Sequence, residues 1–113
     1  MEIKKIPQPA SDVDDASTAF AALGSPQRLS VVVALVRAGP KGLPIGELGL
    51  RVGVSGSTLT HHVKALVLAG LVSQQREGRV IRCSVVYGRV EALSDFLLAQ
   101  CCADITRTEA DND

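Results

Sequence analysis

The sequence predicts a mainly α-helical (α+β) winged helix–turn–helix domain with elements in the order α-α-α-α-β-β-α. Three observations carry this. Residues Leu48 to Leu71 divide at a tight turn, Val52-Gly53-Val54, into a short helix and a longer one. Two extended runs, L-V-S-Q-Q-R-E and V-I-R-C-S-V-V, flank Gly78-Arg79 as the arms of a hairpin with a primed turn. Positive charge gathers over these same segments, although the chain as a whole is neutral.

At 113 residues the chain holds one domain with a single modest core. Phe20, Tyr87 and Phe96 are its only aromatic residues, so Leu, Val and Ala must fill the interior. No apolar run approaches the ~18 residues of a membrane span. The opening M-E-I-K-K-I-P-Q-P-A-S-D has no signal-peptide hydrophobic region. A soluble cytoplasmic protein is therefore expected. In that reducing compartment Cys83, Cys101 and Cys102 are expected as thiols, and their odd number argues against a disulfide framework.

Taken in order, residues 1–11 form a flexible tail with two prolines and no periodicity. Ser11 or Asp12 is placed to cap a first helix, with Asp14 and Asp15 in its opening turn. Val13, Ala16, Phe20 and Leu23 give that helix an apolar side, and Gly24 ends it. Ser25-Pro26 restarts a helix as N-cap followed by proline at the first helical position. Leu29, Val32, Val33 and Val36 form its stripe, and Gly39-Pro40 terminates it. Leu43-Pro44-Ile45 is too short for more than an extended link, after which Ile45, Leu48 and Val52 seat the third helix. The fourth opens at Ser55, stops at Gly70 and buries Leu59, Val63 and Leu66 at i, i+4 and i+7. In the hairpin Ile81, Cys83 and Val85 share one face, and Val80, Arg82 and Ser84 the other. The last helix runs from about Arg89 to Ala103, with Val90, Leu93, Leu97 and Cys101 on one side and Phe96 widening the patch. Residues 12–104 thus form the domain, and 105–113 a disordered acidic tail.

Charge is distributed unevenly. Between residues 51 and 89 six basic residues (Arg51, Lys64, Arg76, Arg79, Arg82, Arg89) face Glu77 alone, giving +5 before the histidines. From residue 90 onward Arg107 faces Glu91, Asp95, Asp104, Glu109, Asp111 and Asp113, giving −5. The positive block coincides with the helix–turn–helix and its hairpin, as a phosphate-binding surface would, although a merely solvated basic face has the same composition. The fourth helix leaves Ser55, Ser57, Thr58, Thr60, His61 and Lys64 outside its stripe. A second helix with donors on its first turns is the arrangement that enters a DNA major groove. Arg76, Arg79 and Arg82, near the hairpin tip, are placed to lie along phosphates as a wing. Each of these residue types also suits ordinary capping and solvation. No Arg, Asn or Gln projects from the first turns, so spacing and DNA shape are expected to count for more than base reading. His61 and His62 are consecutive, not at the i, i+4 spacing of a metal pair, and nothing orients either toward Ser57, so enzyme activity is not expected.

The first and last helices carry more apolar surface than the reading head can cover. Two copies joined through them would form a two-fold dimer with recognition helices about one DNA turn apart. Cys83 alternates with Ile81 and Val85, which reads as core rather than ligand, and whether it takes part in ion binding is left open. Cys101 and Cys102, taken alone, suit small apolar positions in a packed helix as well as they suit a soft-ion site.

Three segments together resemble the ArsR/SmtB metal-sensing repressors: A-L-G-S-P-Q-R-L before the second helix, S-T-L-T-H-H-V-K-A-L-V-L-A-G-L-V across the fourth, and R-E-G-R at the wing. The resemblance covers roughly residues 14–104. It implies a homodimer that represses its own promoter and leaves when a metal or metalloid binds. Several sensor positions of that family are empty here. Glu47-Leu48-Gly49-Leu50-Arg51 has no cysteine pair, the last helix has no Asp/His zinc site, and the second helix has no thiol. L-L-A-Q-C-C looks like the arsenic sensors that hold adjacent cysteines at the end of the last helix. The resemblance therefore implies As(III) or Sb(III) as inducer at Cys101 and Cys102, with no catalytic cofactor. Such relatives also use a third cysteine further on; Ala103 to Asp113 contains none, so the third ligand is unassigned.

Neighbours on a regular helix point about 100° apart, so both thiols cannot grip one ion without unwinding or twisting the last turn. A disulfide between them would be strained, since adjacent Cα atoms are only ~3.8 Å apart. The readings carried forward are a repressor induced by As(III) or Sb(III), the same repressor induced by another soft metal or a reactive sulfur species, and a winged helix used only for protein interaction.

Overall fold

The computed structural model describes residues 9–99 and 101–105. Most of the expected N-terminal tail (residues 1–8) and all but Ile105 of the C-terminal one lie outside the described residues. The chain runs α1 (Pro9–Leu23), α2 (Pro26–Ala38), β1 (Leu43–Pro44), α3 (Ile45–Val52), α4 (Gly56–Leu68), β2 (Val72–Glu77), β3 (Val80–Val85) and α5 (Tyr87–Ala99). No single helix among the described residues is long and apolar enough to cross a membrane.

The five helices and the hairpin stand as expected, with one strand added. Leu43-Pro44 is more than a link: Leu43 pairs with Cys83 and Pro44 with Arg82, making an antiparallel sheet in the order β1-β3-β2. Gly42 permits this. Its φ is 66°, and a Cβ there would lie 1.9 Å from the Cys83 carbonyl oxygen, so only glycine lets the chain pass this close. In the hairpin Val72 pairs with Val85 and Glu77 with Val80. At its turn Gly78 alone has positive φ (66°), the pattern of a type II′ turn.

Helix α1 begins at Pro9, ahead of the expected cap at Ser11 or Asp12. It turns into α2 through a bend of 97°. Ser25 caps α2 as expected, its side chain accepting from the Arg28 amide at 3.3 Å with proline next in line.

The burial faces of the first two helices differ from the sequence reading. In α1 the buried residues are Ala16 and Ala19, while Val13 and Phe20 stay exposed. In α2 they are Val31, Val32 and Leu35, whereas Leu29 (48% exposed), Val33 (45%) and Val36 (40%) face outward. A helix reading L-S-V-V-V-A-L-V has no unique apolar stripe, so the elements packed around it, α1, α3, α4 and β3, choose the face. The interior is built on Val31, Leu35, Leu48, Val63, Leu66, Leu71 and Cys83, all essentially fully buried.

Candidate nucleic-acid interface and thiol pair

The helix–turn–helix is set by two close approaches. The amides of Gly53 (φ 74°) and Val54 both donate to the Gly49 carbonyl, at 2.9 and 3.2 Å. A Cβ on Gly49 would come within 2.6 Å of the Val54 carbonyl oxygen, so glycine is required for the turn to fold onto α3. On α4, Leu59, Val63 and Leu66 are buried as expected, which rotates Ser57, Thr58, Thr60, His61 and Lys64 into solvent. Ser55 stands at the N-cap in extended conformation but makes no side-chain cap bond, which leaves its hydroxyl available. Thr60 donates its hydroxyl to the Gly56 carbonyl at 3.2 Å and retains only acceptor capacity. His61 is exposed; His62 is half-buried, and its Nδ1 is buried with no partner among the described residues.

The three wing arginines are not equivalent. Arg79 sits exposed in the turn, with no hydrogen bond among the described residues. Arg76 only reaches the Gly78 carbonyl at 3.5 Å. Arg82 is engaged: Nε pairs with Glu77 at 3.0 Å and Nη1 donates to the Lys41 carbonyl at 3.3 Å. Its charge is thus partly neutralised within the sheet. Lys41, which sequence reasoning did not single out, lines a groove with Arg82, Gln75 and Ser84 because β1 brings it beside the wing.

At the other end, α5 stops at Ala99, short of the expected Ala103. Cys101 and Cys102 lie in an exposed turn, where the Cys101 amide donates to the Leu98 carbonyl at 3.0 Å and the Ile105 amide to the Cys102 carbonyl at 3.1 Å. Cys102 has φ 59°, the only non-glycine residue in the left-handed region among those described. The two sulfur atoms are 3.6 Å apart. The expectation that both thiols sit on a regular helix is therefore corrected, because Cys101 and Cys102 themselves stand in a turn. Two donors each ~2.3 Å from an ion at a tetrahedral angle stand ~3.8 Å apart, so the pair fits bidentate binding of one soft ion. No group of three or more Cys, His, Asp or Glu side chains comes together among the described residues.

Cys83 lies apart from this turn. It is fully buried on β3, with Gln74 Nε2 at 3.7 Å from its sulfur. Burial pushes its thiol up from the usual 9.0, outweighing the contact with Gln74, so it remains a protonated core residue.

Residues 23–75 match the family described as a helix-turn-helix domain. No curated protein sequence matches the chain significantly. Among solved structures, an ArsR-like transcriptional regulator from Rhodococcus sp. RHA1 is 26% identical, with a TM-score of 0.71 over 88% of this chain and 91% of that one. NolR from Sinorhizobium fredii is 27% identical, with a TM-score of 0.61 over 84% and 95% of the two chains. A homodimeric winged helix-turn-helix DNA-binding domain from Mycobacterium bovis, described as a possible ArsR-family regulator, shares the fold at 23% identity (TM-score 0.65; 92% and 88%). The chain has the winged helix–turn–helix fold that these ArsR-like regulators share.

The Rhodococcus neighbour is described as a transcriptional regulator. A second feature of the chain is an apolar groove of about 330 Å³ between α1, α2 and α5, lined by Phe20, Leu29, Val33, Val36, Leu93 and Leu97. The outward residues of α2 that sequence periodicity assigned to the core, Leu29, Val33 and Val36, line this groove.

Proposed function

We propose that this chain is a homodimeric transcriptional repressor that binds double-stranded operator DNA and is released by As(III) or Sb(III) at Cys101 and Cys102. The exposed row Ser57, Thr58, Thr60, His61 and Lys64, opened by Ser55, enters the major groove, and Arg79 and Arg76 follow the phosphates beside it. Arg82 joins them once Glu77 is displaced or screened. Pairing of α1 and α5 with a second copy covers the exposed apolar residues Phe20 and Leu97, and the homodimeric Mycobacterium bovis domain supports that assembly.

One observation carries the inducer assignment: adjacent thiols whose sulfurs stand 3.6 Å apart in an exposed turn at the end of α5. Soft thiolates select soft ions, and the thiols give up their protons on binding. Tightening this turn pulls on α5 and therefore on the seam. A coupling of ~1–3 kcal/mol is usual for such linkage, and operator must weaken metalloid binding by the same factor.

The test is fluorescence anisotropy of operator duplex against arsenite. Wild type should release DNA, whereas Cys101→Ser/Cys102→Ser should bind equally well and stay bound. Release of the double variant would remove the assignment. Release by another soft metal or by a persulfide, but not by arsenite, selects the second inducer class, and mass spectrometry of the thiols separates these two. Binding that does not fall steeply with added salt would favour a protein-interaction module instead.

A further inference from the structure

Arg89 joins three elements that the proposed mechanism needs to move together. It sits in the first turn of α5 and is only 20% exposed, and its guanidinium reaches back to Asp15 on α1. One nitrogen bonds the Asp15 carboxylate, and a second donates to the Asp15 main-chain carbonyl at 3.1 Å. The hydrogen bond from Arg89 holds the Asp15 carboxyl below its ordinary 3.8, so the pair is charged and intact at neutral pH.

On its other side Arg89 stands near the closing turn of the recognition helix. A Cβ built on Gly70 would sit 3.9 Å from Arg89 Nε. Gly70 belongs to the closing turn of α4: its amide donates to the Val67 carbonyl at 3.0 Å and that of Leu71 to the Leu66 carbonyl at 3.0 Å, a Schellman pair. The Leu71 carbonyl in turn accepts from the Val86 amide at 2.9 Å, at the entrance to α5. The carbonyl end of α4 is the negative pole of its dipole, which favours a cation beside it. The first turn of α5 and the middle of α1 are thus tied at one guanidinium that stands near the closing turn of α4.

We infer that Arg89 is a positioning residue: it fixes the angle of recognition helix α4 relative to α1 and α5, and so transmits movement of the dimer seam to the DNA face. The inference rests on the proposed dimeric repressor. The planar fork bonds a carboxylate and a carbonyl together, which a lysine ammonium does not reproduce. Asp15→Asn keeps the carbonyl contact and should be milder than Arg89→Ala.

The experiment uses the full chain and a duplex selected in vitro for tight binding to wild type, with a second duplex whose half-sites are one base pair further apart. Wild type should discriminate between them. Arg89→Ala and Arg89→Lys, both still dimeric by sedimentation and cooperatively folded, should lose at least fivefold of that discrimination, and Asp15→Asn about half of the effect on a logarithmic scale. Where arsenite releases wild type, its effect on operator affinity should shrink at least fivefold in both Arg89 variants. Should Arg89→Ala fail to fold, Arg89→Lys carries the same expectation. Wild-type discrimination in a folded, dimeric Arg89→Lys variant overturns the inference. If arsenite leaves wild type bound while the Arg89 variants lose discrimination, the inducer assignment fails and Arg89 keeps its role. A monomeric wild type overturns both.

Discussion

The sulfur atoms of Cys101 and Cys102 lie 3.6 Å apart although the residues are neighbours in sequence. On a helix they would diverge; here φ of 59° at Cys102 swings the second side chain back toward the first. For a soft ion bound as proposed, the donors would already stand close together, and less of its binding energy would be lost in reorganising the chain. Both thiols are exposed while Cys83 is buried. A thiol-alkylating reagent on the native protein should therefore modify two cysteines quickly and the third only on unfolding. Arsenite should protect the fast pair and leave the slow one unchanged. Mass spectrometry over time checks this, and three equal rates would contradict the placement of Cys83.

Cys83 also predicts an alkaline limit. Its folded pKa is raised above the unfolded value of 9.0 by burial. The unfolded chain therefore loses this proton first as pH rises. The contribution to stability is complete below pH 9 and declines as pH climbs toward the folded pKa. Urea midpoints should fall above pH 9, and Cys83→Ala should flatten that decline. The same variant should lose about 1–2 kcal/mol at neutral pH through the cavity it leaves.

Glu77 restrains Arg82 at 3.0 Å. Glu77→Gln should free that guanidinium for a phosphate, raising operator affinity at low salt. The slope of log affinity against log salt should steepen by about 0.9, the value of one further phosphate contact. An unchanged slope in anisotropy titrations would mean that Arg82 serves only the sheet.

Gly42 and Gly78 share φ of 66°, yet alanine should not affect them equally. At Gly78 nothing lies within 4 Å of a new Cβ, so Gly78→Ala should cost about 1 kcal/mol of backbone strain. At Gly42 the Cβ meets the Cys83 carbonyl at 1.9 Å, and Gly42→Ala should cost more than about 3 kcal/mol or abolish folding. Thermal melts of the two variants compare them directly.

Sequence alone determined helix α4 and its buried face. Leu59, Val63 and Leu66 recur with a helical period and the first turns of α4 are otherwise polar, so their burial and the exposure of Ser57, Thr58, His61 and Lys64 follow from local pattern. The cap at Ser25 and the hairpin at Gly78-Arg79 are equally local, because their signals lie within a few residues. Tertiary structure decided the rest. Which side of α2 is buried, the pairing of Leu43 with Cys83, the capture of Arg82 by Glu77 and Lys41, and the reach of Arg89 to Asp15 depend on contacts between segments. So does the end of α5 at Ala99, which sets the thiols in a turn. A uniformly apolar helix and a long charged side chain each have several acceptable local states, and only the packing of distant elements selects one.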